Sequence, residues 1–532
     1  MAALACLLAL AVSACTGGSS AGSGGTTTSS LSTLVMPTDL TLITPGSLDP
    51  DTQAYQSGTG FRVESLLYEN LYALGNSSNG NVTPPQPQLA SSYTLSPDGK
   101  TWTFHLNPAA KFSDGTPVTS TDVLWSWNRL KNMKGGRSSL VANWTITAPN
   151  AETVVIQTPT PDLSVLGTIT WPYMSILNAN LLEKHGGTDA SDAATADKAS
   201  LYMDSTSAGS GPYVIQSFST QKIVLAANAN YWGPDKPQFK EVIFDNSQPQ
   251  QGVLSVETGE AQLEVEATAS LASSVNTSEV NVKTVPSFTF AQLFMNTKAS
   301  VSQWTANTDF QNAVRYGIDY QDLVRTFGPG ASLLPGVISL VPGSLPISDA
   351  IQQNVGLAKS YLAKSGYNGQ PVPIDFTQST AGGISLQSIA TKLQSYMKAI
   401  GINIVLNPLS TSALNAAFFG GTMPMALFGT SMIGTDPSWL LSSCPGGAIV
   451  APSINWQPSN APANIVDACN AAANTSSQSM RLGLYQQAEK AMQGAPTMPL
   501  FVAPQVYVYS KQLCDVYNLP AVSVNLRQLK PC

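Results

Sequence analysis

Histidine is nearly missing from this chain: only His105 and His185 occur in 532 residues. That scarcity removes the commonest general base and the commonest ligand for transition metals. Charge is also thin, at 11% of residues, with 25 Lys and Arg against 32 Asp and Glu. A net charge of −7 without Lys/Arg clusters leaves no electrostatic footprint for nucleic acid or an anionic membrane surface. No CxxC pair is present, and beyond the N-terminus no apolar run approaches the roughly 20 residues that span a bilayer. No internal repeat is visible. Hydrophobic residues still make up 43% of the chain, enough for a large core. The length is too great for a single core, so at least two lobes are expected.

What is present begins with MAALACLLALAVSAC, an apolar stretch ending in Val12-Ser13-Ala14-Cys15. Small residues before a cysteine suit a lipoprotein signal peptidase, with the Cys15 thiol carrying the lipid and residues 1–15 forming signal peptide and lipobox. No Lys or Arg precedes the run, which suggests that the natural start lies upstream of Met1. Residues 16–33 are mostly Gly, Ser and Thr and read as a flexible tether with on the order of 23 Å of reach. The remaining cysteines are Cys444, Cys469, Cys514 and Cys532. Exported chains favour disulfides, and local closure suggests Cys444–Cys469 and Cys514–Cys532. A zinc site is the rival reading, but it lacks CxxC spacing and nearby histidines.

Along the chain, Asp39 to Ile43 reads as a buried strand and Phe61 to Leu74 as a helix stopped by Gly75. TWTFHL alternates as a strand with Trp102, Phe104 and Leu106 on one face. FSDGTPVT forms a turn through Asp114, Gly115 and Pro117. Thr119 and Asp122 then make a capping box for a helix that turns Val123, Leu124, Trp127 and Leu130 inward. GSGPYVIQSF and KIVLAANANYWG read as paired strands.

The pairing of LASSYTLSPDGKTWTFHL with KFSDGTPVTSTDVLWSW resembles the extracytoplasmic solute-binding proteins of oligopeptide-type ABC importers, family 5. Later phrases fall in the same order: AQLFMNTK, LQSYMKAIGINIVL and LYQQAEKAMQGAPTMPLFV. The resemblance covers nearly everything from Leu34 onward. It implies an α/β fold of the periplasmic-binding-protein type II class, with two lobes on a two-strand hinge and an extra subdomain in lobe one. Lobe one would span 34–288 with the insert at about 62–205, lobe two 289–503, and 504–532 would return to lobe one. The hinge strands would pass near Phe294 and Phe501. Such proteins do no chemistry: they close on a solute and present it to a membrane permease, so the partners implied are a solute and an ABC permease, with no cofactor. The chain would act as a monomer held outside the cell membrane by its lipid.

Peptide-binding relatives hold the ligand's α-amino group with an aspartate three residues before an acidic residue followed by proline. Here Asp436-Pro437 is the landmark, and counting back three lands on Ile433. The amine anchor is absent, and a buried ammonium left without a counter-charge costs about 3–5 kcal/mol. Asp436 itself is the remaining candidate. Basic side chains that some relatives use for a carboxylate are replaced by Leu427 and Phe418. Gly429, Thr430, Ser431 and Ile433 should line the cleft, facing Ala54, Tyr55 and Gln56 from lobe one, with Trp439 available to stack. This neutral set favours an uncharged or internally compensated solute: a sugar oligomer, a blocked or cyclic peptide, or a peptide held by its backbone. A chelated metal held through its chelator is another possibility on this fold. A secreted hydrolase is the reading from another class, yet the G-x-S-x-G match, Gly18 to Gly22, lies in the tether. The S-x-x-K matches, Ser219/Lys222 and Ser395/Lys398, fall in an expected hairpin and helix.

Overall fold

A computed structural model describes residues 31–532 apart from 42, 53–57, 79–80, 136, 339–340, 382, 433 and 520–522. The expected signal peptide, Cys15 and residues 16–30 of the tether lie outside the described residues.

Hydrophobic residues gather into separate cores, each built on its own sheet. The first surrounds a four-stranded sheet ordered Thr33–Thr38, Glu241–Asn246, Lys222–Ala227, Tyr213–Phe218. Its core takes Leu34, Met36, Leu225, Phe244 and, from the far end of the chain, Val524 and Leu529. The opening strand lies earlier than the pattern suggested: it covers Thr33–Thr38, and beyond it the Ile43 N–H donates to the Leu40 carbonyl at 2.9 Å instead of joining the sheet. Pro37 is tolerated within it because this is an edge strand, where an absent N–H removes no rung. The Asp39 carboxylate then accepts the Thr41 N–H at 2.8 Å, which bends the chain away from the sheet.

A second, wholly antiparallel sheet orders Ala90–Leu95, Thr101–Leu106, Thr153–Gln157 and Thr145–Asn150. Trp102, Phe104 and Leu106 point into its core, as the alternation required. The turn before the next helix has Gly115 at φ +87°, and the Asp114 carboxylate accepts from Thr116 N–H at 2.9 Å. In the helix Ser120–Asn132, the N–H of Thr119 donates to Asp122 at 2.9 Å, completing the expected box. That helix is buried on more of its surface than its apolar residues indicate. Arg129, fully buried, reaches Asp49 at 2.7 Å, Asp51 at 2.7 Å and Asp197 at 2.9 Å. The cluster pins the loop that leads into residues 53–57. The helix expected over Phe61–Leu74 covers only Gly58–Leu67, because Tyr72–Ala73 pairs as a short strand with Gln86–Pro87.

A mixed six-stranded sheet links the halves of the molecule. Its order is Leu263–Ala267, Thr497–Ser510, Val280–Met295, Met425–Ser431, Val372–Thr377, Ile404–Leu409. The helices Thr308–Gly317, Tyr320–Phe327 and Leu386–Ile400 pack on its distal part through Phe310, Phe327, Leu393 and Met397. A further core holds Trp456, Tyr485 and the disulfide-bonded Cys444 and Cys469. The second disulfide joins Cys514 to Cys532, so both expected pairings are present.

Candidate functional site: the cleft between the lobes

The long strands Val280–Met295 and Thr497–Ser510 run side by side from one lobe to the other. Their ladder shifts register between Ala291, opposite Phe501, and Gln292, opposite Pro499; Phe294 and Phe501 themselves belong to lobe-two packing, with the Phe501 ring 4.0 Å from that of Phe327 between centroids. A longer interruption lies a few residues away, on the lobe-one side. Pro286 pairs with Pro504, and regular pairing resumes only at Phe290 opposite Val502. Neither proline has an N–H to donate. The Ser287 hydroxyl bridges the gap by donating to the Ala503 carbonyl at 2.6 Å.

Beside this seam runs the strand Met425–Ser431, whose end was expected to line the cleft. Its first residues are core: Met425, Ala426 and Leu427 are buried. Phe418 and Phe428 join Phe294 in an aromatic cluster with centroids 4.6 to 5.9 Å apart. Phe418 and Leu427 are therefore packing residues. Gly429 and Thr430 are half-buried, and Ser431 is exposed with its hydroxyl 2.8 Å from that of Thr289. One edge of this strand is paired with residues 289–295. On the other edge only Ala426 has a registered partner, Asp375; beyond it the short strand Thr380–Ala381 lies nearby, but no described strand pairs in register with this edge.

Ala54, Tyr55, Gln56 and Ile433 lie outside the described residues. Asp436 and Trp439 are described, and both are engaged. Asp436 opens a short turn of helix, Pro437–Ser442, and its carboxylate accepts from the Arg481 guanidinium at 2.5 and 2.9 Å. Both side chains are about nine-tenths buried. Burial alone lowers the Arg481 pKa, but the adjacent Asp436 carboxylate overrides it and holds the guanidinium above its usual value. Arg481 also lies 5.2 Å from the ring centroid of Tyr485. A bidentate pair of this kind leaves Asp436 little capacity for an incoming ammonium. Arg481 was not foreseen, because 45 residues separate the partners and the sequence carries no local sign of the pairing.

The lobes touch here. The Trp439 ring lies 5.9 Å from Trp171, which belongs to the core of the antiparallel sheet in lobe one. A Cβ on Gly167 would fall 2.4 Å from the Asp436 Cβ, and one on Gly434 would fall 2.0 Å from Trp171 Nε1. A cavity of about 170 Å³ opens beside this contact, lined by Pro84, Leu166, Thr435, Asp436, Gln478 and Arg481 among others. On the lobe-one side, Arg62 holds Glu266 at 2.5 Å and also donates to Thr38 and Thr59 at 2.8 Å. Thr268, just beyond, meets lobe two where a Cβ on Gly383 would lie 2.3 Å away. The charged groups described around the cleft are thus compensated within the protein.

No group of three or more metal-ligating residues occurs among the described residues, and no described helix is long and apolar enough to cross a membrane. The S-x-x-K matches have structural roles. Ser219 and Lys222 close a hairpin through Ser219 O–H to Lys222 carbonyl at 3.1 Å, and Ser395 and Lys398 sit inside the helix Leu386–Ile400.

Comparison with known proteins agrees with this architecture. The chain is 28% identical over 408 residues to the probable D,D-dipeptide-binding periplasmic protein DdpA of Escherichia coli, covering 74% of each. The substrate-binding protein CtaP of an ABC transporter from Listeria monocytogenes superposes with a TM-score of 0.77 at 18% identity, over 94% of this chain and 99% of that one. The binding protein DppA of Helicobacter pylori, solved with the peptide STSA, gives 0.71 at 20% identity, over 94% and 98%. Residues 84–449, more than half the chain, match the model of the bacterial extracellular solute-binding proteins, family 5 (middle region). The two-lobed fold, the hinge-like seam and this match agree: the chain belongs to family 5 of the extracellular solute-binding proteins, the receptors of ABC importers rather than enzymes.

Proposed function

We propose that the chain captures a neutral or internally compensated, peptide-like solute between its lobes and hands it to its membrane permease. The observation that carries this reading is the edge of Phe428–Ser431 that has no registered strand partner among the described residues, whose backbone can take an extended peptide as an added strand. The internal compensation of Asp436 by Arg481, and of Glu266 by Arg62, supports recognition through backbone and hydroxyl groups instead of a counter-charge. Two relatives, one named for D,D-dipeptides and one solved with a peptide, point the same way. On this reading lobe one is 34–288 with its insert near 62–205, lobe two is 289–503, and 504–532 closes lobe one. A lipid on Cys15 and the tether of residues 16–33 would hold a monomer at the outer face of the cell membrane.

The test is thermal unfolding of the purified chain against free peptides, N-blocked peptides and oligosaccharides. A solute at about 100 times its Kd adds about 2.7 kcal/mol of stability, enough to move the midpoint by a few degrees. Shifts with free and blocked peptides alike support backbone recognition. A shift with free peptides alone means that an acidic group anchors the amine. A shift with oligosaccharides alone replaces the peptide reading.

A further inference from the structure

An indole N–H can only donate, and several tryptophans in this chain place it on an acceptor. Trp102 donates to the Asp162 carbonyl at 2.9 Å, Trp127 to the Met174 carbonyl at 3.2 Å, and Trp232 to Glu69 at 2.8 Å. Trp171 does not: its Nε1 is buried with no hydrogen-bond partner. Trp125 shares that condition, but it lies inside the lobe-one core. Trp171 lies where the lobes meet.

Its position is firmly set. The ring is 8% exposed, and its carbonyl accepts from Asn70 Nδ2 at 2.7 Å. The edge bearing the N–H rests on Gly434, the residue that follows the segment expected to line the cleft. A buried donor without an acceptor is costly. Gly434 of lobe two lies against this donor, so an acceptor from a solute held between the lobes would meet it there.

We propose that Trp171 is a solute-binding residue: its N–H donates to a carbonyl or carboxylate oxygen of a short peptide, and its ring with Trp439 walls off that end of the cleft. This rests on the peptide reading given above. A neutral donor suits surroundings in which Asp436 and Arg481 compensate each other. The close apposition at Gly167 and Gly434 leaves no room for a chain to continue past the wall. Short peptides, with a terminus ending at Trp171, are the class selected.

The test uses the purified full chain, with L,L- and D,D-alanyl-alanine in free, N-acetylated and C-amidated forms, titrated by calorimetry. Trp171→Phe keeps the wall and removes the donor. Any of these peptides that binds the wild type should bind the variant about tenfold more weakly. The solute-free melting temperature of the variant should stay level or rise, because an unsatisfied donor has been removed. Loss with acid and amide alike identifies a carbonyl acceptor, and loss with the acid alone a carboxylate. Unchanged affinity in Trp171→Phe overturns the proposal and leaves the peptide reading standing. Failure of every peptide to bind the wild type removes the peptide reading, and the proposal with it. Tetra-alanine should bind more weakly than the dipeptide, and equal affinity would remove the wall. Independently of the variant's affinity, the ¹⁵N-indole resonance of Trp171 in the wild type should move downfield on peptide addition. A stationary resonance also overturns the assignment.

Discussion

Replacing Asp436 by alanine separates two roles for the acid that follows the cleft strand. If it served as an amine anchor, its loss would weaken solute binding and leave the solute-free protein as stable as before. Its geometry predicts the opposite. Both carboxylate oxygens are held by Arg481, and the side chains are only 10% and 8% exposed. Solvent screening therefore gives little relief to a guanidinium left alone. Removing one partner of a buried pair costs about 3–5 kcal/mol. If lobe two melts as a unit of ordinary domain size, that lowers its midpoint by roughly 6–20 °C. Arg481→Met should also destabilise, since it strands the carboxylate of the same buried pair. The double variant Asp436→Leu/Arg481→Met should recover most of the loss, because replacing both charges with apolar groups is often neutral. Calorimetric melting of the four proteins without solute decides the matter. An Asp436→Ala midpoint within about 2 °C of wild type, less than about 1 kcal/mol would produce, would refute the structural role.

Other expectations follow from buried groups and close contacts. Glu489 is fully buried and accepts from Val337 and Ile338 N–H at 3.1 Å, and burial raises its pKa to about 8. Burial likewise raises Glu264 to about 8 and Asp51 to about 7. Acids raised on folding contribute stability below their unfolded pKa and lose it as pH rises through the folded value. The melting temperature should therefore fall from about pH 4.5 to about pH 8 and level off above it, and Glu489→Gln should flatten that slope; a flat wild-type profile would count against it. Cys444→Ala/Cys469→Ala opens a loop of 25 residues, which should cost about 3.5 kcal/mol in denaturant unfolding. Gly434→Ala drives a methyl into Trp171 at 2.0 Å. Small-angle scattering should show the lobes held apart in that variant, and a radius of gyration equal to wild type would mean that they do not close there.

The sequence made most of the fold legible because the cues were local. TWTFHL is buried on alternate positions and Thr119–Asp122 caps its helix, since both depend on neighbours a few residues apart. The opening strand was displaced because Pro37 reads as an interruption, and only the sheet order reveals that it lies on an edge. The cleft was harder. Gly429, Thr430 and Ser431 could be placed by counting from Asp436-Pro437, but the partner of Asp436 could not. Arg129 with Asp49, Asp51 and Asp197, and Trp171 against Trp439, are likewise contacts between distant segments. No periodicity or spacing encodes them, because each exists only once separate cores have been brought together.

Pro286 facing Pro504 has a mechanical consequence. A sheet that crossed between lobes with every rung in place would have to tear hydrogen bonds in order to bend. Here residues 287–289 stand opposite Ala503 alone, so regular rungs lapse between the Pro286–Pro504 and Phe290–Val502 pairs and the strain of bending concentrates where there is least to break. The paired stretches on either side can turn as stiff paddles about that gap while keeping their partners. A captured solute then has to supply only enough contact energy to bias a motion that is already cheap. A receptor built this way can shut on cargo it holds weakly, and can therefore let it go.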